Sequence, residues 1–369
     1  MQSKLHFVGL DGLRGFAALT ILMHHLLAVT PYRNWPEHAY LAVDFFFMLS
    51  GFVIAFAYDD RLQARMSLGR FLAVRAARLY PLILLGSALG LGWLVVRYLT
   101  IGDISALQLS AVIPFALLLL PVPRPGVAAF PVNGPLWSLF FELIANVMYA
   151  AGLYRLGRRG LLAVTITSFA LYAAAAWINQ TVIFGIAFSD TFPFAVPKAL
   201  APFLIGVLIY RYGLFTTTTS NRAALTSTVL LLVVLWAPVP RTGPIGVLYD
   251  IMVDVTIFPL IVMIGSCAPS GTAMIRAWAL VGALSYPLYV LHQPLLNLLD
   301  HMAFPDSPDP TAMGLWAAGV AAATLTLAWI GLRYYDEPVR AWIARKWLGR
   351  GSPAPAFRAQ ARTEEMPAV

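Results

Sequence analysis

The most constraining feature of the sequence is a series of apolar stretches, most of them about as long as a membrane-spanning helix. Such a helix needs about 20 mostly apolar residues to cross the hydrocarbon core. Charged residues make up only 11% of the chain, against roughly 25% in a soluble domain. The sequence therefore predicts an all-α, multi-pass membrane protein without a soluble domain. The eleven stretches are 8–29, 40–58, 79–96, 105–121, 136–154, 161–178, 196–210, 223–238, 248–267, 278–298 and 314–333.

The positively charged residues predict which ends of these stretches face the cytoplasm, because Lys and Arg accumulate in cytoplasmic loops. Clusters lie at 61–78, at 155–159 and from Arg333 onward. Three apolar stretches separate the first two clusters, so one of the three does not cross. The stretch 105–121 is short and contains Pro114, which favours a re-entrant or interfacial segment. About ten spanning helices remain, with both termini cytoplasmic and the protein in the plasma (inner) membrane.

The sequence therefore divides into one membrane domain, 1–345, and a short basic tail, 346–369. The tail has little apolar surface to bury and is predicted to be disordered. A single cysteine, Cys267, excludes a disulfide framework. The net charge of +8 is explained by cytoplasmic loops, and no nucleic-acid partner is expected. Metal-ligand spacings, a Walker phosphate loop and a GxSxG nucleophile elbow are absent from the sequence, so no metal site is predicted.

The first apolar stretch, "VGLDGLRGFAALTILMHHLL", carries ionisable residues that a helix in lipid normally lacks. Arg14 and His25 are eleven residues apart, which places them about 20° apart on one helix face and about 16 Å apart along the axis. His24 points about 80° away from that face. One side of this helix is therefore predicted to carry a cation near the cytoplasm and an imidazole near the opposite surface.

Other ionisable residues fall at a similar predicted depth to His25. They are Asp44, Glu142, His292 and Asp254. Isolated charges at this depth cost several kcal/mol, so the sequence predicts that these side chains face an internal cavity and one another. The structural alternative is a set of helix–helix hydrogen bonds, and Asp254, whose neighbourhood shows no motif, is interpreted in that way.

Two arginines in "RAARLYP" are candidates for phosphate binding. Arg75 and Arg78 lie about one helical turn apart, close beneath the predicted membrane surface. Guanidinium groups bind phosphate oxygens through two hydrogen bonds at once, so this spacing suits a phosphate clamp. The simpler alternative is that the whole cluster at 61–78 serves only to set the membrane topology.

Six motifs in this order resemble the integral-membrane acyltransferase type 3 family, which includes bacterial O-acetylases of polysaccharides and macrolide acyltransferases. The similarity runs from residue 10 to residue 340. The matching segments are "LDGLRGFAALTILMHH", "VDFFFMLSGFVI", "RAARLYP", "GPLWSLFFELIANVMY", "LSYPLYVLHQPLL" and "DEPVR".

The resemblance implies an acyl-CoA donor in the cytoplasm, most commonly acetyl-CoA, and a hydroxyl acceptor on a sugar or glycan. Acyl-CoA is then a substrate, and no permanently bound cofactor is expected. The family pattern implies that Arg14 and His25 are essential, with His25 at the reaction centre. It also implies roles for Arg75, Arg78, Glu142 and the Ser50–Gly51 turn, where Ser50 is interpreted as a packing residue at a close backbone approach. The residues interpreted as structural parts of the motifs are Ser50, Gly51, Trp137, Ser138, Tyr286 and Glu337.

A mechanism can be written from these residues. The arginines that would hold the coenzyme A phosphates are Arg14, Arg75 and Arg78. His25 would act as general base on the acceptor hydroxyl, because its reference pKa near 6.5 suits proton transfer at neutral pH. Glu142 or Asp44 would orient its other ring nitrogen, and His292 would donate to the oxyanion. Alternatively, His25 would attack the thioester itself and form an acyl-imidazole.

A different class of protein also uses intramembrane His, Asp and Glu side chains. A proton-coupled transporter of a small or glycan-linked substrate needs such a layer. Transporters often show interrupted helices in two related halves, which this sequence lacks. The sequence leaves the oligomeric state and the identity of the acceptor open.

Overall fold

The computed structural model describes residues 6–28, 30, 32, 35–303 and 309–348, and this part of the chain is helical, without a β-strand. Each of the eleven apolar stretches coincides with a helix or helix pair. The α-helices are α1 Val8–Leu27, α2 Leu41–Gln63, α3 Leu68–Thr100, α4 Ala106–Leu118, α5 Leu136–Ala151, α6 Arg158–Asn179, α7 Ala195–Arg211, α8 Asn221–Leu235, α9 Gly243–Met252, α10 Phe258–Gly265, α11 Thr272–Ala303, α12 Pro310–Ile330 and α13 Glu337–Ile343.

Seven helical segments of the described chain are long and apolar enough to cross a membrane, so the chain is a multi-pass membrane protein. They contain α2, α3, α6, α7, α9 with α10, α11 and α12. The other predicted spans are α1, which is 20 residues long but carries ionisable side chains, and α5 and α8, which have 16 and 15 residues. The total of about ten spans and the cytoplasmic termini remain predictions.

The segment expected to be re-entrant or interfacial forms α4, a helix of 13 residues. At 1.5 Å per residue it is about 20 Å long, which is shorter than the roughly 30 Å hydrocarbon core. Ser105 and Gln108 cap its first turn through a reciprocal pair of hydrogen bonds, and α4 packs mainly against α3. Since α5 and α8 are also shorter than the hydrocarbon core, with 16 and 15 residues, the non-crossing character of α4 remains a prediction.

The third helix begins earlier than its apolar stretch, which starts at residue 79. Ser67 caps α3 by accepting a hydrogen bond from the Arg70 backbone N–H, so the helix begins at Leu68. Arg75 and Arg78 are therefore in α3 itself, not in a loop as the charge pattern alone suggested. Both residues line one cavity at this end of α3, where Arg75 is buried and Arg78 is exposed.

Close backbone contact sets which helices are neighbours. The most extensive contacts join α1 to α11 and α2 to α7. A Cβ atom at Gly51 would lie 1.8 Å from the Phe203 carbonyl oxygen, and one at Gly282 would lie 2.6 Å from the Asp11 carbonyl oxygen. Small residues at helix crossings allow this approach in membrane proteins. Gly51 therefore holds α2 against α7 and does not line a site.

The described chain contains three π-helical segments; two of them join consecutive α-helices, and the third, Ala344–Leu348, follows α13. Val253–Ile257 joins α9 to α10 and carries Asp254, and Gly331–Asp336 joins α12 to α13. Such turns are rare and redirect side chains, often at functional sites. The predicted tail, 346–369, lies outside the described residues beyond Leu348.

Candidate active site

A cavity of about 440 Å³ lies between α1, α2, α3, α5 and α11, with the start of α13 at one end. Many residues predicted from the motifs line it: Arg14, Ser50, Arg75, Arg78, Ser138, Glu142, Tyr286 and Glu337. Other predicted residues do not line it: His25, Asp44, Gly51, Trp137 and His292. Trp137 instead packs against Phe141, with ring centroids 6.2 Å apart.

Glu142 joins three helices at the middle of the cavity. Its Oε1 atom accepts hydrogen bonds from Arg75 Nη2 at 2.8 Å and from Ser50 Oγ at 2.7 Å. The Arg75 side chain is 5% exposed and that of Glu142 is 16% exposed, so a buried charge is neutralised by its partner. The expectation that Glu142 orients His25 is wrong, because this carboxylate is held by α2 and α3.

Arg14 is fixed by several contacts near one end of the cavity. Its Nη2 atom pairs with Asp11 Oδ1 at 2.9 Å, and its Nε atom donates to Ser285 Oγ at 2.8 Å. Asp11 also pairs with His6 through its other oxygen at 2.8 Å, and this hydrogen bond raises the pKa of His6 above 6.5. The remaining amino group of Arg14, Nη1, has no hydrogen-bond partner in the described chain, which leaves it available to a ligand.

Arg78 differs from Arg75 although both line the cavity. Arg78 is exposed, and within the part of the chain that the structure describes no ion pair or hydrogen bond engages its guanidinium. Arg75 is buried and paired with Glu142. The predicted phosphate clamp of two equivalent arginines is therefore corrected to one free guanidinium, Arg78, beside one neutralised guanidinium.

The segment after α12 closes the same end of the cavity. Arg340 pairs with Asp336 at 2.9 Å, and Glu337 pairs with Arg333 at 2.9 Å. The Tyr286 hydroxyl donates to the Leu79 carbonyl at 2.7 Å, which ties α11 to α3. This end of the cavity, with Arg78 and Arg340, is named the charged mouth.

The opposite end of the cavity, named the inner end, is lined by Phe46, Ser138 and Tyr289. The rings of Phe46 and Tyr289 meet edge to face with centroids 5.7 Å apart. The Tyr289 hydroxyl lies 2.6 Å from Ser138 Oγ and 3.1 Å from the Pro135 carbonyl oxygen. Sequence reasoning missed Tyr289, although it lies in the motif "LSYPLYVLHQPLL", three residues before His292.

Two histidines lie together beyond this end. The rings of His25 and His292 are 5.1 Å apart, and that of Tyr289 is 6.0 Å from His292. His292 Nδ1 lies 2.8 Å from the Tyr289 carbonyl oxygen and 3.1 Å from that of Leu288. A carbonyl only accepts, so Nδ1 carries the proton and Nε2 of the neutral ring is an acceptor. A neutral His292 held in this way has no N–H to give to the oxyanion, so the predicted donor role stays a prediction that needs the protonated ring.

Asp44 belongs to a separate buried group, named the closed network: His38, Tyr40, Asp44, Tyr172, Lys198, Asp250 and Asp254. Asp44 pairs with Lys198 at 3.0 Å, and the Tyr172 hydroxyl donates to Asp254 at 3.0 Å. His38 pairs with Asp250 at 2.8 Å. The expectation that Asp44 orients His25 is thus wrong. The predicted single layer of ionisable groups is divided among the cavity, the histidine pair and this network.

The comparisons with known proteins identify the class. A family model described as an acyltransferase domain, the type 3 acyltransferase family, matches residues 7–333. The chain therefore belongs to this family and is a multi-pass membrane acyltransferase, as the motifs predicted. Among the described residues no cluster of three or more His, Cys, Asp and Glu side chains is suited to a metal ion.

Similar proteins include "Protein 2 in picA locus" of Rhizobium radiobacter, which is 39% identical over 184 residues, covering 46% of this chain and 95% of that protein. YrhL of Bacillus subtilis (strain 168), whose name proposes peptidoglycan O-acetyltransferase activity, is 36% identical over 86 residues, and the alignment covers 22% of this chain and 12% of YrhL. The O-acetyltransferase OatA of Staphylococcus aureus (strain NCTC 8325 / PS 47) is 35% identical over 86 residues, which cover 23% of this chain and 13% of OatA. No solved structure matches the chain.

Proposed function

We propose that this protein transfers an acyl group, in the simplest case acetyl, from cytoplasmic acyl-CoA to a hydroxyl of a sugar or glycan at the outer side of the plasma membrane. The observation that carries the proposal is the cavity that joins Arg14 and Arg78 to Tyr289, which contacts His292. Coenzyme A has an anionic nucleotide and a long thin arm, which suits a cavity with free guanidinium atoms at one end. The name of OatA supports O-acetyl transfer, and that of YrhL, which proposes peptidoglycan O-acetyltransferase activity, supports a glycan acceptor.

The nucleotide would bind at the charged mouth, where the Arg78 guanidinium and Nη1 of Arg14 are free to hold phosphate oxygens. The pantetheine arm would pass Glu142 and Ser50 and bring the thioester to the inner end. His25 would take the proton of the acceptor hydroxyl as this oxygen attacks the thioester carbon. His292, with Nε2 as an acceptor, would face His25 in place of the carboxylate expected from the sequence.

The test compares two adjacent histidines. His25→Ala should lower acyl transfer about 10²- to 10⁴-fold, since the general base is lost, while acyl-CoA still binds. His24→Ala, the matched control, should be far milder, because the ring near His292 is that of His25. The measurements are acyl transfer to isolated envelope glycans, detected by mass spectrometry, and acyl-CoA binding by the purified protein in lipid nanodiscs.

Two results would contradict the proposal. If both variants lose transfer equally while remaining folded, the face-specific role of His25 fails. If the wild-type protein neither hydrolyses acyl-CoA nor acylates any glycan fraction, the donor and acceptor are misassigned.

A further inference from the structure

At the inner end of the cavity, two hydroxyl groups lie beside one carbonyl oxygen. The two hydroxyls supply two protons, and the carbonyl oxygen needs only one of them. Ser138 Oγ and Tyr289 OH are 2.6 Å apart, and each lies 3.1 Å from the Pro135 carbonyl oxygen. One hydroxyl proton satisfies this carbonyl, and the other is shared between the two oxygens. Either hydroxyl can therefore turn to a ligand while its neighbour keeps the Pro135 carbonyl hydrogen bonded.

Tyr289 is the member of this pair that is placed for chemistry. Its side chain packs against Phe46 on one side and His292 on the other, and it is 5% exposed. His292 in turn contacts His25. The phenol thus lies at the point where the donor cavity ends and the histidine pair begins.

Other polar groups of the cavity and of the histidine pair either have fixed partners or offer no donor. The Ser50 hydroxyl donates to Glu142, and Arg75 is paired with the same carboxylate. His292 presents an acceptor, Nε2, and not a donor. Withdrawing Ser50 or Arg75 would leave a buried carboxylate short of a hydrogen bond, which is costly. The Tyr289 hydroxyl can leave Pro135 without that penalty.

We propose that Tyr289 donates the hydrogen bond that stabilises the oxyanion during acyl transfer. This inference rests on the proposed function. The acceptor oxygen bonds to the thioester carbon as its proton passes to His25, and the carbonyl electron pair moves onto the oxygen, which the phenol O–H then stabilises. When the electron pair on the oxyanion re-forms the C=O bond, the C–S bond breaks and the thiolate takes the proton from His25. The products are the ester and free coenzyme A, and no other reactant is needed.

The main test is Tyr289→Phe, which keeps the ring contacts with Phe46 and His292 and removes only the donor. Loss of one oxyanion donor typically lowers kcat about 10²- to 10³-fold, and KM for acyl-CoA should change less than about threefold because binding at the charged mouth is intact. Tyr249→Phe is the matched control, since it removes a tyrosine hydroxyl bonded to the Val234 carbonyl away from the cavity, and its kcat should stay near that of the wild type.

Ser138→Ala gives a graded second test. Without the Ser138 hydroxyl the phenol loses the partner at 2.6 Å that holds it at the inner end, while the Pro135 carbonyl keeps the backbone N–H of residue 138 at 3.3 Å. The kcat should therefore fall by less than in Tyr289→Phe, about tenfold, because the donor is present but less well positioned. A purely structural role for the hydroxyl pair predicts instead that both variants lose thermal stability and keep their kcat.

The proposal is overturned if Tyr289→Phe retains kcat within about threefold of the wild type, or if only KM changes. Should Tyr289→Phe fail to fold, 3-fluorotyrosine at the same position keeps the hydroxyl and makes it a stronger donor. A changed kcat at unchanged thermal stability then supports the donor role, and an unchanged kcat rejects it. Absence of acyl transfer by the wild-type protein is a separate result, which rejects the proposed function.

Discussion

The cavity and the closed network both place charged side chains inside the helical bundle. They differ in whether the charged atoms have partners in the protein. In the cavity, Arg78 and one amino group of Arg14 have no partner in the described chain and face open space. In the closed network, Lys198 is 2% exposed and both pairs with Asp44 and donates to the Val182 carbonyl. The residues of this network do not line the cavity.

The difference follows from the cost of burying a charge. A buried ion that no partner compensates costs several kcal/mol, so a fully enclosed cation persists only when protein groups neutralise it. A cation can keep free hydrogen-bonding atoms where water or a ligand reaches it. Free donors at the edge of a cavity therefore indicate binding, whereas equally charged but enclosed pairs indicate that helices are held together.

The largest expected effect comes from breaking the enclosed pair. Lys198→Met leaves Asp44 as an uncompensated carboxylate that is 0% exposed, which should cost about 3–5 kcal/mol of stability. The folded yield and the unfolding temperature of the purified protein should both fall. Arg75→Met is the matched change in the cavity. It should lower stability less than Lys198→Met does, because Glu142 keeps the Ser50 hydrogen bond and is 16% exposed.

A double variant sharpens this comparison. Asp44→Leu with Lys198→Met replaces both charges by apolar side chains of similar volume, and such replacements are often neutral or stabilising. The double variant should therefore recover most of the stability lost by Lys198→Met. If the double variant recovers stability but has no acyl transfer, the closed network takes part in function. The conclusion that enclosed charge pairs only hold helices together is then wrong.

The positions of the helices could be predicted from sequence because apolar length is a local property. Every apolar stretch coincides with a helix, and eight of the residues taken from the family motifs line one cavity. Both results depend on patterns that lie within single segments of the chain.

The partners of the ionisable residues could not be predicted in the same way. Residue spacing gives the depth of a side chain along its helix, but not the neighbouring helix that it faces. Asp44 and His25 have similar predicted depths, yet α2 packs most closely with α7 and α1 with α11. Asp44 therefore meets Lys198, whereas His25 meets His292.

The next prediction tests Arg78, the cavity arginine whose guanidinium has no partner in the described chain. Arg78→Gln should raise KM for acyl-CoA about 10- to 100-fold, the value of a charged hydrogen bond to phosphate, with little effect on kcat or stability, since Arg78 has no partner to lose in the described chain. Arg78→Lys should restore only part of the affinity, because Lys cannot bind phosphate through two parallel hydrogen bonds. Steady-state kinetics with purified protein measure both variants.

A truncated donor provides the control for this change. An acyl-pantetheine thioester lacks the nucleotide, so Arg78→Gln should leave its KM almost unchanged. Arg75→Gln should behave differently from Arg78→Gln, lowering kcat and stability together, because it frees Glu142 in the middle of the cavity. Equal effects of Arg78→Gln on the full and truncated donors would show that this arginine does not bind the nucleotide.

The smallest expected effect concerns His6, which lies before α1 and lines the charged mouth. The hydrogen bond to Asp11 raises the pKa of His6 above 6.5 in the folded protein. A raised pKa means that protonation favours the folded state. The stabilising contribution is therefore complete below the unfolded pKa near 6.5 and is lost as the pH rises through the higher folded value.

The change His6→Asn removes this titration and keeps a polar side chain at the mouth. The unfolding temperature of the wild type should exceed that of His6→Asn at about pH 5.5, and the difference should shrink toward zero at about pH 8.5, on the other side of the histidine pKa. The effect should be modest, because the His6 side chain is 43% exposed and solvent screens its pair with Asp11. KM for acyl-CoA should be lower for the wild type than for His6→Asn at about pH 5.5, and this difference should also shrink toward about pH 8.5, since protonated His6 adds a positive charge beside Arg14 and Arg78. A difference between the two proteins that is constant across this pH range would show that the His6–Asp11 contact does not depend on protonation.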